Sequence, residues 1–184
     1  MRLFFIRHAL TEANKSGSMV KNYNSYSILP FDKNEWWNKI GKDLPKDFKI
    51  VSSPQKRCLE TAKELFGNKP IRIFESLDEF DCSSLGDKKF WEINEKEFDS
   101  LIHLTKEDMI KKYMNFVDDF IKNYRREDNV VCISHGFYIR GLKSFWDNEK
   151  DSPYELINSK NFEFKNLDMI ELTNKGSKQI WRFV

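Results

Sequence analysis

The amino-acid sequence predicts a three-layer α/β/α fold, with a mostly parallel central sheet and an antiparallel edge strand. Two patterns predict it. Short apolar runs without helical period recur along the chain, and stretches with apolar residues at helical spacing separate them. The length of 184 residues suits one domain spanning residues 1–184.

Leu3 to Ile6 is the first run, too short for a helix and continuous enough for a buried strand. Lys15 to Asp47 mixes Ser, Asn, Tyr and Lys with Pro30, Pro45, Trp36 and Trp37, which predicts a loop and one short helix near Asn34 to Ile40. Ile50-Val51 opens the second strand and runs into Ser52-Ser53-Pro54. Pro54 suits a helix start, because its fixed φ is helical and its missing N–H is not needed there. Leu59, Ala62, Leu65 and Phe66 then form one apolar stripe, ended by Gly67. Ile71 to Phe74 is the third strand. Leu85 to His103 is mixed and is expected to be irregular. Met109, Tyr113, Phe116, Val117, Phe120, Ile121 and Tyr124 define a longer helix. Val130 to Ile133 is the fourth strand. Met169 to Leu172 and Gln179 to Phe183 close the chain, and the short connection at Asn174-Lys175-Gly176 predicts a hairpin with an antiparallel edge.

Composition narrows the function. Lys and Arg number 31 against 29 Asp and Glu, a net charge of +2, which argues against nucleic-acid or membrane-surface binding by bulk charge. The stretch from Met1 to His8 is too short in apolar length for a signal peptide, and no run approaches the ~20 apolar residues of a membrane span, so a cytoplasmic protein is expected. Cys58, Cys82 and Cys132 are odd in number and lack metal-site spacing, so reduced, packed thiols are expected. Trp36, Trp37, Phe90 and Trp91 are expected to pack rather than to form a substrate platform. Lys88 and Lys89 read as solvated, and Arg140 as a structural link between helix and sheet. His103 has no functional context.

Ligands of α/β folds gather beyond the carboxyl ends of the strands. The first strand ends in Arg7-His8, the second in Ser52-Ser53-Pro54 with Arg57 one helical turn on, and the fourth in Ser134-His135-Gly136. Parallel neighbours would bring two arginines and two of the three histidines to one place. Two guanidinium forks facing two imidazoles suit a dianionic phosphate, since bidentate Arg contacts match its oxygens. One imidazole would attack phosphorus, and the other would help the arginines neutralise the transition state without a metal.

Arg7-His8-Ala9-Leu10-Thr11-Glu12-Ala13-Asn14 resembles the Arg-His-Gly-x-Thr-x-x-Asn signature of the histidine phosphatase superfamily, in its phosphoglycerate-mutase-like branch. Ser52-Ser53-Pro54-Gln55-Lys56-Arg57-Cys58-Leu59-Glu60-Thr61-Ala62 resembles its Ser-Ser-x-x-x-Arg-x-x-x-Thr-Ala segment. Ile133-Ser134-His135-Gly136 with Ile139-Arg140 resembles its second histidine segment, and Leu77-Asp78-Glu79-Phe80-Asp81 the stretch that carries its acid. The resemblance implies His8 as the nucleophile and Arg7, Arg57 and His135 as the phosphate clamp. It implies a further phosphate contact from Asn14 and close approach at Gly136. Glu79 would be the general acid and later the base. A neutral His8 and a protonated His135 would serve these roles.

The sequence departs from the family pattern in four places. Ala9 replaces the usual Gly, Leu10 a commonly polar residue, and Ser83 the Gly expected four residues after Glu79, while Gly86 comes one residue early. Asp81 and, more remotely, Glu75 therefore compete with Glu79 as the acid. The activity implied is that of a metal-independent phosphatase acting on a small phosphomonoester through a phosphohistidine, without a cofactor. A mutase, which must keep water from the intermediate, is the first alternative; such mutases are usually longer, with lid segments and a C-terminal tail. A phospho-ligand-binding module is the second. The Lys15–Asp47 and Leu85–His103 segments are expected to roof the pocket. Oligomeric state is left open.

Overall fold

A computed structural model of the chain describes residues 2–16, 26–86, 88, 92–147, 152–158, 164–173 and 176–182. The strands are β1 (Arg2–Arg7), β2 (Lys49–Ser52), β3 (Ile71–Ile73), β4 (Asn129–Ser134), β5 (Met169–Thr173) and β6 (Gly176–Trp181). The helices are α1 (Glu12–Ser16), α2 (Lys33–Lys39), α3 (Lys56–Phe66), α4 (Glu95–Ile102), α5 (Lys106–Asn123), α6 (Gly136–Trp146) and α7 (Pro153–Asn158). They build one mixed sheet of order β3-β2-β4-β1-β5-β6. β1, β2, β3 and β4 are parallel, whereas β5 runs antiparallel to both β1 and β6. The mostly parallel sheet with an antiparallel edge is as expected, with β5 and β6 forming that edge.

Alternation along the buried strands fills both faces. Leu3, Phe5, Val51, Val130 and Cys132 point into one core with α4, α5 and α6. Phe4, Ile6, Ile50, Val131 and Ile133 point into the other with α2 and α3. The third strand departs from expectation: β3 lies at the sheet edge, and Ile73 is 50% exposed. α3 starts at Lys56, two residues beyond Pro54, with Gln55 as its N-cap.

The first irregular segment holds the short helix expected of it, and the second is more ordered than expected. Lys15 to Asp47 contributes α2, whose Trp36 is fully buried and donates its indole N–H to the Leu167 carbonyl at 3.0 Å. Leu85 to His103 contributes α4, started by a capping box in which Asn94 and Glu97 exchange hydrogen bonds. Both helices pack into the cores. Lys88 is exposed and pairs with Glu97 at 2.8 Å; Lys89, Phe90 and Trp91 lie outside the described residues, as do Asn174, Lys175 and Phe183. α5 and α6 approach so closely that a Cβ on Gly141 would stand 2.0 Å from the Tyr113 hydroxyl. Cys58, Cys82 and Cys132 are buried free thiols.

Candidate active site

Three parallel strands end level with one another. Arg7 pairs in register with Ser134, the His8 N–H donates to the Ser134 carbonyl at 2.9 Å, and the Ser53 N–H to the Ile133 carbonyl at 3.0 Å. The residues that follow β1, β2 and β4 therefore share one place beyond the sheet.

His8 is 1% exposed. Its Nδ1 lies 2.7 Å from the Ala9 carbonyl, which can only accept, so Nδ1 carries the proton. Its Nε2 lies 3.1 Å from Arg57 Nε, which can only donate, so Nε2 presents its lone pair. The surroundings thus select one neutral tautomer. Burial, followed by the charges of Arg57 and Arg7, pushes this imidazole well below the usual histidine range.

Arg57, 2% exposed, joins the two rings by donating through Nη2 to His135 Nδ1 at 2.9 Å. The ring centroids of His8 and His135 lie 5.3 Å apart. His135 Nε2 faces the Ser53 hydroxyl at 2.8 Å and the Cys58 Sγ at 3.5 Å. These surroundings favour the neutral ring. Burial first, then Arg57, pushes its pKa well down, and a ring accepting from a guanidinium on Nδ1 is neutral.

Arg7 lies across the start of α6 and donates through Nη1 to the Phe164 carbonyl at 2.6 Å. A Cβ on Gly136 would stand 2.9 Å from the Arg7 guanidinium carbon. Gly136 thus admits the arginine. Asn14 Oδ1 accepts from the Thr11 hydroxyl at 3.0 Å and from Asn166 Nδ2 at 3.3 Å, which leaves its amide N–H₂ as the group to offer an anion.

Glu79 follows β3 in a coil at the same end of the sheet. Its Oε2 accepts from the Phe137 N–H at 3.2 Å and its Oε1 from the Tyr138 N–H at 2.8 Å, so the carboxylate caps α6 immediately after His135. Burial raises its pKa against the opposing pull of Arg57, the Phe80 N–H, Lys112 and the Tyr138 N–H. Asp81 has the opposite character. It is exposed, it accepts from the Ser83 N–H at 2.9 Å, and that bond holds its pKa down. Glu75 is exposed on the turn after β3. Arg140 lies on α6.

A family model, the histidine phosphatase superfamily (branch 1), matches residues 3–182. The chain belongs to the histidine phosphatase superfamily. Among curated proteins no sequence matches significantly. Among solved structures, a phosphoserine phosphatase from Entamoeba histolytica in complex with 3-phosphoglyceric acid is similar with a TM-score of 0.77 at 22% identity, over 99% of this chain and 97% of that one. A mutant of the phosphatase in complex with phosphoserine has a TM-score of 0.73 at 22% identity, over 96% and 93%. A provisionally assigned alpha-ribazole-5'-P phosphatase from Escherichia coli has a TM-score of 0.72 at 14% identity, over 100% and 97%.

Several polar residues of this histidine phosphatase site carry no role in the sequence reading. Thr61 Oγ1 accepts the Ala9 N–H at 2.9 Å and donates to the Arg57 carbonyl at 2.6 Å, tying the loop after β1 to α3. Ser53 Oγ stands between His135 and Asp78 Oδ1, which lies 3.3 Å away. Asp78 also accepts from the Gln55 amide and, at 2.8 Å, from the Glu79 N–H. Asn166 Nδ2 donates to the His8 carbonyl at 2.8 Å. Thr61 and Ser53 stand inside the quoted motif, and Asp78 beside the acid, so their positions were visible. Asn166 is distant in sequence, and only its Asn-x-Asp turn pattern marks it.

Proposed function

We propose that this chain is a metal-independent phosphatase that hydrolyses a small phosphomonoester through a phosphohistidine on His8. The observation that carries the proposal is the tautomer. The Ala9 carbonyl holds the proton on Nδ1, and the reactive lone pair on Nε2 is directed at the Arg57 guanidinium. An incoming phosphate takes the guanidinium donors for its own oxygens and leaves that lone pair facing phosphorus.

In the first step the Nε2–P bond forms and the bond from phosphorus to the leaving oxygen breaks. Arg7, Arg57, His135 and the Asn14 amide hold the equatorial oxygens, and Glu79 gives its proton to the departing alkoxide. The imidazole keeps the Nδ1 proton on the Ala9 carbonyl. In the second step Glu79, now ionised, takes a proton from water, the water oxygen attacks phosphorus and the P–N bond breaks. Phosphate leaves, and His8 and Glu79 return to their starting forms. Binding of the dianion also favours proton uptake by His135, with Asp78 3.6 Å from its Nε2.

The phosphoserine, 3-phosphoglyceric acid and alpha-ribazole-5'-P of the similar structures make small phosphorylated metabolites the first substrates to screen. The test is hydrolysis of p-nitrophenyl phosphate with EDTA present, by wild type and His8→Ala. Activity should persist with the chelator and vanish without His8. Loss to EDTA, or survival in the variant, would contradict the mechanism.

A further inference from the structure

The coil from Asp78 to Cys82 carries the acid without a helix or strand to hold it. Ser134 Oγ donates to the Leu77 carbonyl at 2.7 Å and thereby fixes its start. Beyond Glu79, Phe80 is 6% exposed and wedged among aromatic rings, with centroids 5.1 Å away at Phe137 and 5.9 Å at Tyr113. Between these anchors lies Lys112 of α5. Its Nζ donates to the Glu79 backbone carbonyl at 3.1 Å and stands 5.0 Å from the centre of the Phe80 ring.

A half-buried ammonium is costly there, and burial lowers its pKa while Glu79 and Asp78 raise it. An apolar chain would fill the same space without that cost, so packing alone does not account for a lysine. Its position accounts for it. The ammonium holds the acid's own peptide, so the Glu79 backbone is fixed by α5 while its carboxyl group is fixed by α6.

We propose that Lys112 is a positioning residue for the general acid, fixing Glu79 so that its proton meets the leaving oxygen. This rests on the reading of Glu79 as that acid. The consequence is a dependence on leaving group. An alkoxide needs the proton and p-nitrophenolate hardly does, so loss of Lys112 harms turnover in proportion to leaving-group basicity.

The experiment compares kcat/KM, which ends with leaving-group departure, for β-glycerophosphate and p-nitrophenyl phosphate in wild type, Lys112→Met, Lys112→Arg and Glu79→Gln. Lys112→Met should lose about 10-fold or more on β-glycerophosphate and under about 3-fold on p-nitrophenyl phosphate, and Lys112→Arg should recover most of the difference. The ratio of the two substrates is internal to each preparation, so partial unfolding cannot imitate the result. Equal losses on both substrates, or none on either, in Lys112→Met while Glu79→Gln remains selective would overturn the role of Lys112 alone. A Glu79→Gln variant without selectivity would overturn the acid assignment, and the Lys112 proposal with it.

Discussion

In the proposed mechanism two histidines and a glutamate divide the chemistry because their surroundings move them in opposite directions. Burial and guanidinium charge hold His8 and His135 neutral, whereas burial keeps the Glu79 proton on to higher pH than an ordinary carboxylate. The sign of the pH dependence follows. Glu79 acts as an acid only while protonated, so its advantage is lost as pH rises through its raised pKa, above the ordinary value of about 4.3. The kcat/KM ratio of β-glycerophosphate to p-nitrophenyl phosphate should therefore fall with rising pH in wild type and stay flat in Glu79→Gln. Taken with each kcat/KM corrected for that substrate's own dianion fraction, the ratio cancels the ionisation of His8 and His135, which both substrates share. A flat ratio in wild type, or a slope retained in the variant, would exclude Glu79 as the acid. The motifs made Arg7, His8, Arg57 and His135 legible at this scale, since each directly follows a strand or opens a helix. The charge on His135 was not legible, because it depends on burial and on the Arg57 contact, neither of which spacing encodes.

The turn from Phe164 to Asp168 holds the nucleophile loop although no motif announces it. The Arg7 N–H donates to the Asp168 carbonyl at 3.1 Å, the Leu167 N–H to the Arg7 carbonyl at 3.0 Å, and the Asn166 side chain to the His8 carbonyl. Leu167 adopts a φ of 66°, a left-handed conformation unusual for a leucine, while its side chain is buried in the α2–α3 core. Trp36 secures the same residue from α2. Asn166→Ala should cost about 1–3 kcal/mol in urea unfolding, because it leaves a buried carbonyl short of a donor. It should also lower kcat/KM on good and poor leaving groups alike, in contrast to Lys112→Met. Unchanged stability with a leaving-group-selective loss would refute this division of roles. Helices with long apolar stripes, α3 and α5, were legible from periodicity. α4 was not, since an eight-residue helix offers too few repeats, although its Asn94 and Glu97 capping pair stood in the sequence. α6 was hidden for another reason: Phe137, Tyr138, Ile139 and Leu142 are all buried, and Arg140 and Lys143 leave only a narrow polar strip between them.

Across the whole molecule, four parallel strands bring the three site segments to one end of the sheet, and the antiparallel pair β5–β6 extends the β1 side. The predicted order of apolar runs matched these strands because their alternation and continuity reflect burial on two faces. β3 fits less well because an edge strand is open to solvent, and its apolar residues overstate its burial. The near-balance of 31 cationic and 29 anionic residues conceals where charge matters. Two arginines are buried or half-buried beside two buried imidazoles at a sheet end, an arrangement that suits the compact dianion proposed as substrate. Among the described residues no helix is long and apolar enough to cross a membrane.

The central claim is a covalent bond between phosphorus and His8 Nε2, and trapping it is the most direct test. Rapid mixing with a ³²P-labelled phosphomonoester followed by alkaline quench should leave labelled protein whose phosphate survives base, is released by acid and maps to His8, with none in His8→Ala. Label that is acid-stable, that maps to another residue or that persists in the variant would contradict the account.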